Sequence, residues 1–177
     1  MKFDVIIIGG GHSGLACATE FQQGGRRCLV ICAGESPRRF VEPGWSQSEA
    51  RRQFEALGGT FLMGDSVQRG IFEGQRLMAV QTANHGRTRF EAPLFYLATG
   101  SFFSGGLVAT HDAILEPVFG LDVDYEGGHA DWVSPDFYDD QPFMRFGVRV
   151  DAAGHALRGG EAIQNLYPIG SVVSRRV

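Results

Sequence analysis

The sequence predicts an α/β fold: a Rossmann-like parallel sheet with an antiparallel β-meander inserted into it, and a small substrate or cap segment. Two features carry that prediction. The first is a β-α-β unit at the start of the chain. Val5 to Ile8 is a β-branched apolar run, long enough for one buried strand and short for a helix. It passes directly into Gly9-Gly10-Gly11-His12-Ser13-Gly14, the spacing G-x-G-x-x-G with an extra glycine at the second place. Gly9 lets the chain turn off the strand, Gly11 admits a pyrophosphate close to the backbone, and Gly14 lets the next helix pack on the strand. The first amides of that helix then face the phosphates, where the helix dipole favours negative charge. The second feature is a run of short alternating segments between residues 65 and 91, separated by turn residues.

In chain order, Leu15 to Gln23 reads as a helix that Gly24-Gly25 stops, and Arg26 to Cys32 as a second strand. A ribose-binding Asp or Glu is expected at the end of that strand, ~20 residues beyond the glycines. Cys32 stands there, followed by Ala33 and Gly34, with Glu35 three residues late. A thiol is a poor acceptor for ribose hydroxyls, so the pattern supports the phosphate half of the site and not the adenosine half. Cys32 and Glu35 are the candidates there, and a bound FAD would need Glu35 or backbone groups in place of the missing acid. Gly34 to Gly44 is a turn-rich connector, and Ser46 to Leu57 reads as a helix capped by Ser46 or Ser48. Thr60 to Met63 is a third strand. The meander comprises Asp65 to Arg69, Arg76 to Ala83 and Arg87 to Glu91, with turns at 70–74 and 84–86. Inserting a meander there is a habit of flavin-binding proteins with the FAD/NAD(P)-binding fold. Pro93 to Ala98 returns as a buried strand ending in Thr99-Gly100, an A-T-G turn of the kind that brings backbone close to a dinucleotide.

Ser101 to Glu161 is rich in aromatics and turns. Within it Met144 to Val150 alternates, which predicts a strand with Phe146, Val148 and Val150 on one face and Arg145 and Arg149 on the other. Asn165 to Ile169 is the last strand and ends in Gly170-Ser171. The expected organisation is a flavin- or dinucleotide-binding domain over 1–100 and 162–177, with a cap or substrate segment over 101–161.

Composition narrows the class. The chain has 177 residues, 44% of them hydrophobic, and a net charge of -4 without a basic run, which argues against a nucleic-acid partner. No apolar stretch reaches membrane-span length, and the N-terminal run flows into the glycine loop rather than a cleavage site, so a cytoplasmic protein is expected. Cys17, Cys28 and Cys32 form no C-x-x-C pair, and the histidines lack ligand spacing, so no metal site is expected. Cys28 and Cys32 share one strand face and read as small core residues.

The stretches KFDVIIIGGGHSGL and RRCLVI, the run Leu97 to Val123 (LATGSFFSGGLVATHDAILEPVFGLDV), Asp136-Phe137, Gln141-Pro142 to Phe146-Gly147-Val148, and IQNLYPIGSVV resemble the B-subunit family of bacterial anaerobic glycerol-3-phosphate dehydrogenase. The resemblance covers most of the chain. It implies a two-domain flavoprotein fold, a flavin cofactor (FMN or FAD), and oxidation of sn-glycerol 3-phosphate to dihydroxyacetone phosphate. It also implies a catalytic and an iron–sulfur partner subunit passing electrons toward quinone, which would hold the protein at the inner face of the membrane. The family is usually credited with FMN, which fits Cys32 because FMN carries no adenosine. Two departures stand out. The family has a long segment where only Ala33 to Trp45 stands here, and it continues past the last strand into a further glycine turn and helix. A shortened form with much of the substrate domain absent is therefore expected.

For cofactor phosphate the candidates are Gly9, Gly10, Gly11, His12, Ser13 and Gly14, through backbone amides and the Ser13 hydroxyl. Val67 sits where similar folds hold an adenine with backbone groups, and reads equally as a plain strand residue. Thr99, Gly100, Gly170 and Ser171 fall at the carboxyl ends of parallel strands, where such folds bind ligands. For a phosphate monoester substrate, Arg145 and Arg149 are the best cationic pair, the alternative being a solvated basic face; Ser101 and Ser104 are candidate donors. His111 is a candidate general base on its place after the motif alone. Two rival readings stand beside that of a flavin-dependent oxidoreductase. One is a non-catalytic assembly module or fragment that keeps the fold without flavin, and the other an NAD(P)-binding reductase fragment.

Overall fold

The structure is a computed structural model that describes residues 1–35 and 44–175. In chain order it begins β1 (Val5–Ile8), α1 (His12–Gln23), β2 (Cys28–Cys32), α2 (Gln47–Ala56) and β3 (Thr60–Met63). The meander β4 (Val67–Glu73), β5 (Arg76–Thr82) and β6 (Phe90–Glu91) follows, and then β7 (Leu94–Leu97). Six two-residue strands come next: β8 (Val108–Ala109), β9 (Ile114–Leu115), β10 (Val123–Asp124), β11 (Gly147–Val148), β12 (Leu157–Arg158) and β13 (Glu161–Ala162). The last strand is β14 (Leu166–Pro168).

Five strands form one parallel sheet in the order β14-β7-β1-β2-β3, and the meander is a separate antiparallel sheet inserted between β3 and β7. Every residue of β1 and β2 is buried, as a parallel sheet covered on both faces requires. Alternation divides the core. Ile6, Ile8, Leu29, Ile31, Phe95 and Leu97 face the meander and cap, while Val5, Ile7, Cys28, Val30 and Cys32 face α1 and α2. The first of these clusters also takes in Leu107, Phe119, Trp132 and Phe146, so residues 101–161 pack into the same core as the sheet. Buried Asn165 ties the meander down: its Oδ1 accepts from the Leu77 amide at 2.9 Å, and its Nδ2 donates to the carbonyls of Leu77 and Pro93 at 2.8 and 3.0 Å.

Several sequence expectations need correction. α1 starts at His12 rather than Leu15, because Gly11 is the N-cap and the glycine loop itself winds into the first turn. β4 runs through Gly70 to Glu73, and the turn is confined to Gly74 and Gln75. Gly70 serves packing rather than turning: a Cβ there would lie 2.7 Å from Phe72 and 2.8 Å from Phe119. Met144 to Val150 is not one strand. Pro142 opens a 3-10 turn over Pro142–Arg145, Gly147–Val148 pairs with β10, and Val150 makes a separate bridge to Ala156. Phe146 and Val148 are buried, but Arg145 and Arg149 do not share a strand face. Residues 36–43 of the connector and 176–177 of the tail lie outside the described residues. Among the described residues no helix is long and apolar enough to cross a membrane.

Candidate functional site

At the carboxyl edge of the parallel sheet lies a cavity of about 550 Å³, well within the size of small-molecule sites. It extends to both sides of β1. On one side it is lined by Cys32 to Glu35 and Asp65 to Val67, on the other by Ala98 to Gly100, Phe103 to Gly105, Val118, Ile169 and Ser171. The glycine loop Gly9 to Ser13 lies between them.

The loop is shaped by positions that have no room for a side chain. Gly9 adopts φ +113°, and a Cβ there would sit 2.2 Å from the Ala98 carbonyl oxygen. A Cβ on Gly14 would sit 2.0 Å from the Gly9 carbonyl oxygen, and one on Gly10 would lie 2.7 Å from the Cys32 sulfur. The loop, β2 and β7 therefore lock together before any ligand arrives. Among the described residues no side chain caps α1, its first turn holds no acidic residue, and Gly11 to Ser13 line the cavity, so the positive end of the dipole lies at the cavity wall. That suits an anion such as a pyrophosphate.

On the β2 side, the Cys32 thiol is buried and donates to the Gly34 carbonyl at 3.0 Å. Glu35 lines the same part of the cavity. Gln47, the first residue of α2, straps this corner: its Nε2 donates to the Gly10 carbonyl at 2.7 Å and lies 3.5 Å from both the Gly34 oxygen and the Cys32 sulfur. Trp45 stacks on His12 with ring centroids 5.5 Å apart. Beyond them, Asp65 sets the start of the meander. Its Oδ1 accepts from the amides of Ser66 and Asn84 at 2.9 and 3.0 Å, and its Oδ2 lies 2.7 Å from His85 Nδ1. Burial pushes this carboxyl up, but hydrogen bonds from Thr82, Asn84, His85 and Ser66 outweigh that and hold it below the usual carboxylate range. The charged carboxylate pins Ser66 and Val67 at the cavity wall.

On the β7 side, the chain folds back on itself after Thr99. Gly100 has φ +79°, and a Cβ there would meet the Ser104 oxygen at 1.9 Å. Ser104 Oγ donates to the Thr99 carbonyl at 2.9 Å. Thr99 lines the cavity, and its Oγ1 is buried with no hydrogen-bond partner among the described residues, an orphaned group that a ligand's polar atom would satisfy. Gly170 packs on Ser13, where a Cβ would come within 2.6 Å of its Oγ. The glycine cradle, the uncapped helix end and the orphaned Thr99 hydroxyl together fit a flavin nucleotide.

Of the residues singled out in the sequence, Gly9, Gly10, Gly11, His12, Ser13, Cys32, Glu35, Val67, Thr99, Gly100, Ser104 and Ser171 line this cavity. Gly14 and Gly170 pack the glycine loop from behind. Ser101 lies outside the lining, its carbonyl accepting from the amides of Ser104 and Gly106. Arg145 and Arg149 are exposed and do not line the cavity. His111 is also outside it; its side chain is 89% exposed beside Asp112 and His129. Sequence reasoning misses Gln47, Trp45 and Asp65, which carry no motif and whose partners include Gly10, His12 and Asn84, all distant in the chain. Burial pushes the Cys17 thiol up to about 12 and the Cys28 thiol to about 11, so neither is a thiolate nucleophile at neutral pH.

A profile of the FAD binding domain family matches residues 4–48 and 37–177. Over 123 residues the chain is 42% identical to a Yersinia enterocolitica protein named as the B-subunit of anaerobic glycerol-3-phosphate dehydrogenase, covering 70% of this chain and 29% of that protein. An Aliivibrio fischeri protein of the same name is 39% identical over 140 residues, covering 72% of this chain and 31% of the other. The chain thus spans about three tenths of the length of these curated relatives. Among solved structures, an oxidoreductase from Agrobacterium tumefaciens is 28% identical, with a TM-score of 0.49 over 64% of this chain and 40% of its own.

Proposed function

The chain belongs to the FAD binding domain family, and from that premise we propose that it is a flavin-dependent oxidoreductase subunit of the anaerobic glycerol-3-phosphate dehydrogenase type. The flavin taken here is FAD. The observation that carries this choice is the cavity's continuation past the glycine loop to Glu35 and Val67, where an adenosine would lie and which FMN would leave empty. The reaction proposed is oxidation of glycerol 3-phosphate to dihydroxyacetone phosphate, with electrons handed toward quinone through partner subunits. The names of the curated relatives support it.

When bound, a flavin supplies the hydride-accepting centre. The residues of this chain bind and orient it. The amides at the start of α1 hold phosphate, Gln47 fixes the Gly10 carbonyl against the end of β2, and Asp65 presents the Ser66–Val67 backbone. The Thr99 hydroxyl offers a hydrogen bond on the β7 side, and Phe103 adds an aromatic side chain to the lining there.

A second reading has its own support. The charged side chains lining the cavity among the described residues are Glu35 and Asp65, both acidic, which is a poor setting for a phosphate monoester. In this reading the chain holds flavin as a relay or assembly module, and substrate phosphate is bound elsewhere. The visible spectrum of the purified chain, with mass analysis of what heat releases, tests the cofactor: FAD is expected, while FMN would remove the adenosine arm from the site. Anaerobic addition of glycerol 3-phosphate to the flavin-loaded chain tests the substrate. Bleaching of the flavin bands is expected, and a flavin that stays oxidised would favour the relay reading.

A further inference from the structure

We propose that the outer face of the cap, residues 131 to 144, is a docking surface for a partner protein that presents a basic face around an apolar hollow. This does not depend on the flavin reading. Charge segregation is the first observation. The 55 residues from 90 to 144 hold ten of the chain's 20 acidic residues and none of its 16 lysines and arginines. The second is a loop built to hold aromatic side chains in solvent. Phe137 and Tyr138 are 86% and 94% exposed, and Val133 and Met144 are 60% and 61% exposed. A slack loop would fold such groups against the core. This one is braced: Gln141 Oε1 accepts from the Ser134 amide at 2.9 Å, and its Nε2 donates to the carbonyls of Asp136 and Asp139 at 2.9 and 3.2 Å. Ser134 Oγ donates to Asp139 Oδ2 at 3.0 Å, and Asp136 Oδ1 accepts from the Tyr138 amide at 2.9 Å. The third is shape: Val133, Pro142, Asp131, Asp139 and Asp140 line one open hollow, and the aromatic pair stands in the chain between Pro135 and Asp139 of that lining.

Exposed aromatic and apolar groups of this kind mark interaction surfaces, and aromatic anchors supply most of the energy in interfaces. The charge chooses the partner. Carboxylates around the anchors call for lysine and arginine opposite them and suppress like-charged partners. Anionic headgroups and nucleic acid would be repelled. Two copies meeting through this same face would set like charges against each other.

The test uses a synthetic amphipathic helix of lysine and leucine as the probe, titrated against the full chain by fluorescence anisotropy. Three variants are compared with the parent: Phe137→Ser/Tyr138→Ser, Asp136→Asn/Asp139→Asn/Asp140→Asn, and Glu20→Gln/Glu55→Gln/Glu73→Gln as a control of equal net charge elsewhere. The asparagines keep the acceptors that brace the loop. Each patch variant is expected to bind about tenfold more weakly, and the control to stay within about twofold of the parent. Parent binding is expected to weaken by about tenfold from low to roughly 300 mM salt. Equal weakening in the control would reduce the effect to net charge and overturn the proposal, as would unchanged binding in both patch variants. Binding of the parent to phosphatidylcholine–phosphatidylglycerol vesicles that the patch variants lose would overturn it by assigning the face to membrane. A concentration-dependent dimer in sedimentation that they lose would overturn it in favour of self-association. Should the aromatic double variant misfold, the asparagine variant alone decides.

Discussion

The glycine-loop edge of the sheet and the cap are built by opposite means. At the edge, fully buried strands and side-chain-free glycines bring backbone against backbone, and side-chain hydrogen bonds of Gln47, Asp65 and Ser104 add to that close packing. The cap has strands of two residues each, and carboxylates do the work of regular structure. Glu116 accepts from the amides of Val118, Phe119 and Leu121, and Asp122 from those of Gly159 and Gly160. Asp131 accepts from the Gly128 amide, and Asp151 from those of Ala153 and His155. One region is fixed by excluded volume and the other by hydrogen bonds to charge. Changes of size should therefore break the first, and changes of acceptor the second.

The largest effect is expected at Gly14. In a helix, alanine normally exceeds glycine by about 1 kcal/mol. Here the added Cβ meets the Gly9 carbonyl oxygen at 2.0 Å, a backbone atom that cannot swing away. Gly14→Ala should lose about 3 kcal/mol in denaturant unfolding and fail to retain flavin. A stabilised variant would show that the loop does not pack on the helix in this way. Next comes Glu116→Ala, which strips three amides of their acceptor at a buried site and should cost about 2 to 3 kcal/mol. A cost near zero would mean that the 116–121 turn stands without its carboxylate.

The same contrast decides what can be read from the sequence. The glycine edge is local: Gly9 to Gly14 lie in one run after a β-branched strand, so their spacing alone gives the turn and the helix that follows, although the helix starts at His12 rather than Leu15. Thr99-Gly100 and Gly170-Ser171 are legible because they end strands whose apolar runs are plain. The cap gives no such signal. Glu116 and Asp122 look like surface acids, and their amide partners follow from turn geometry that no periodicity encodes. The alternation from Met144 to Val150 suggests a strand, but Pro142 together with the close approach of Val173-Ser174 to Gly147 gives a turn and a two-residue pairing instead. Gln47 is invisible for a further reason: its partner Gly10 is 37 residues away.

Asp65 joins the two styles, since it is an acid that serves the glycine edge. Its folded pKa lies below the unfolded carboxylate value near 3.9, so its contribution is complete above about pH 4 and is lost as pH falls through the folded value. Asp65→Asn keeps one acceptor and should cost about 1 to 2 kcal/mol at neutral pH, with a flatter loss of stability below about pH 4 than the parent shows. Parallel acid limbs in the two proteins would remove Asp65 as the group responsible. FAD release should track the same limb if Ser66 and Val67 line the adenosine arm.

The smallest effect is expected where the cap's carboxylates and apolar groups face outward. Phe137 and Tyr138 are 86% and 94% exposed, so replacing both by serine removes almost no buried area from the folded chain. Their backbone supports remain, because the bonds from Gln141 run to main-chain carbonyls of Asp136 and Asp139 rather than to the rings. The double variant should therefore unfold within about 0.5 kcal/mol of the parent, as surface substitutions do. A large loss would mean that the rings pack on this chain itself and would return the 131–144 face to the interior. An unchanged midpoint would leave Phe137 and Tyr138 as apolar groups the fold itself does not need, on a loop that Asp136 and Asp139 brace much as Glu116 and Asp122 brace the rest of the cap.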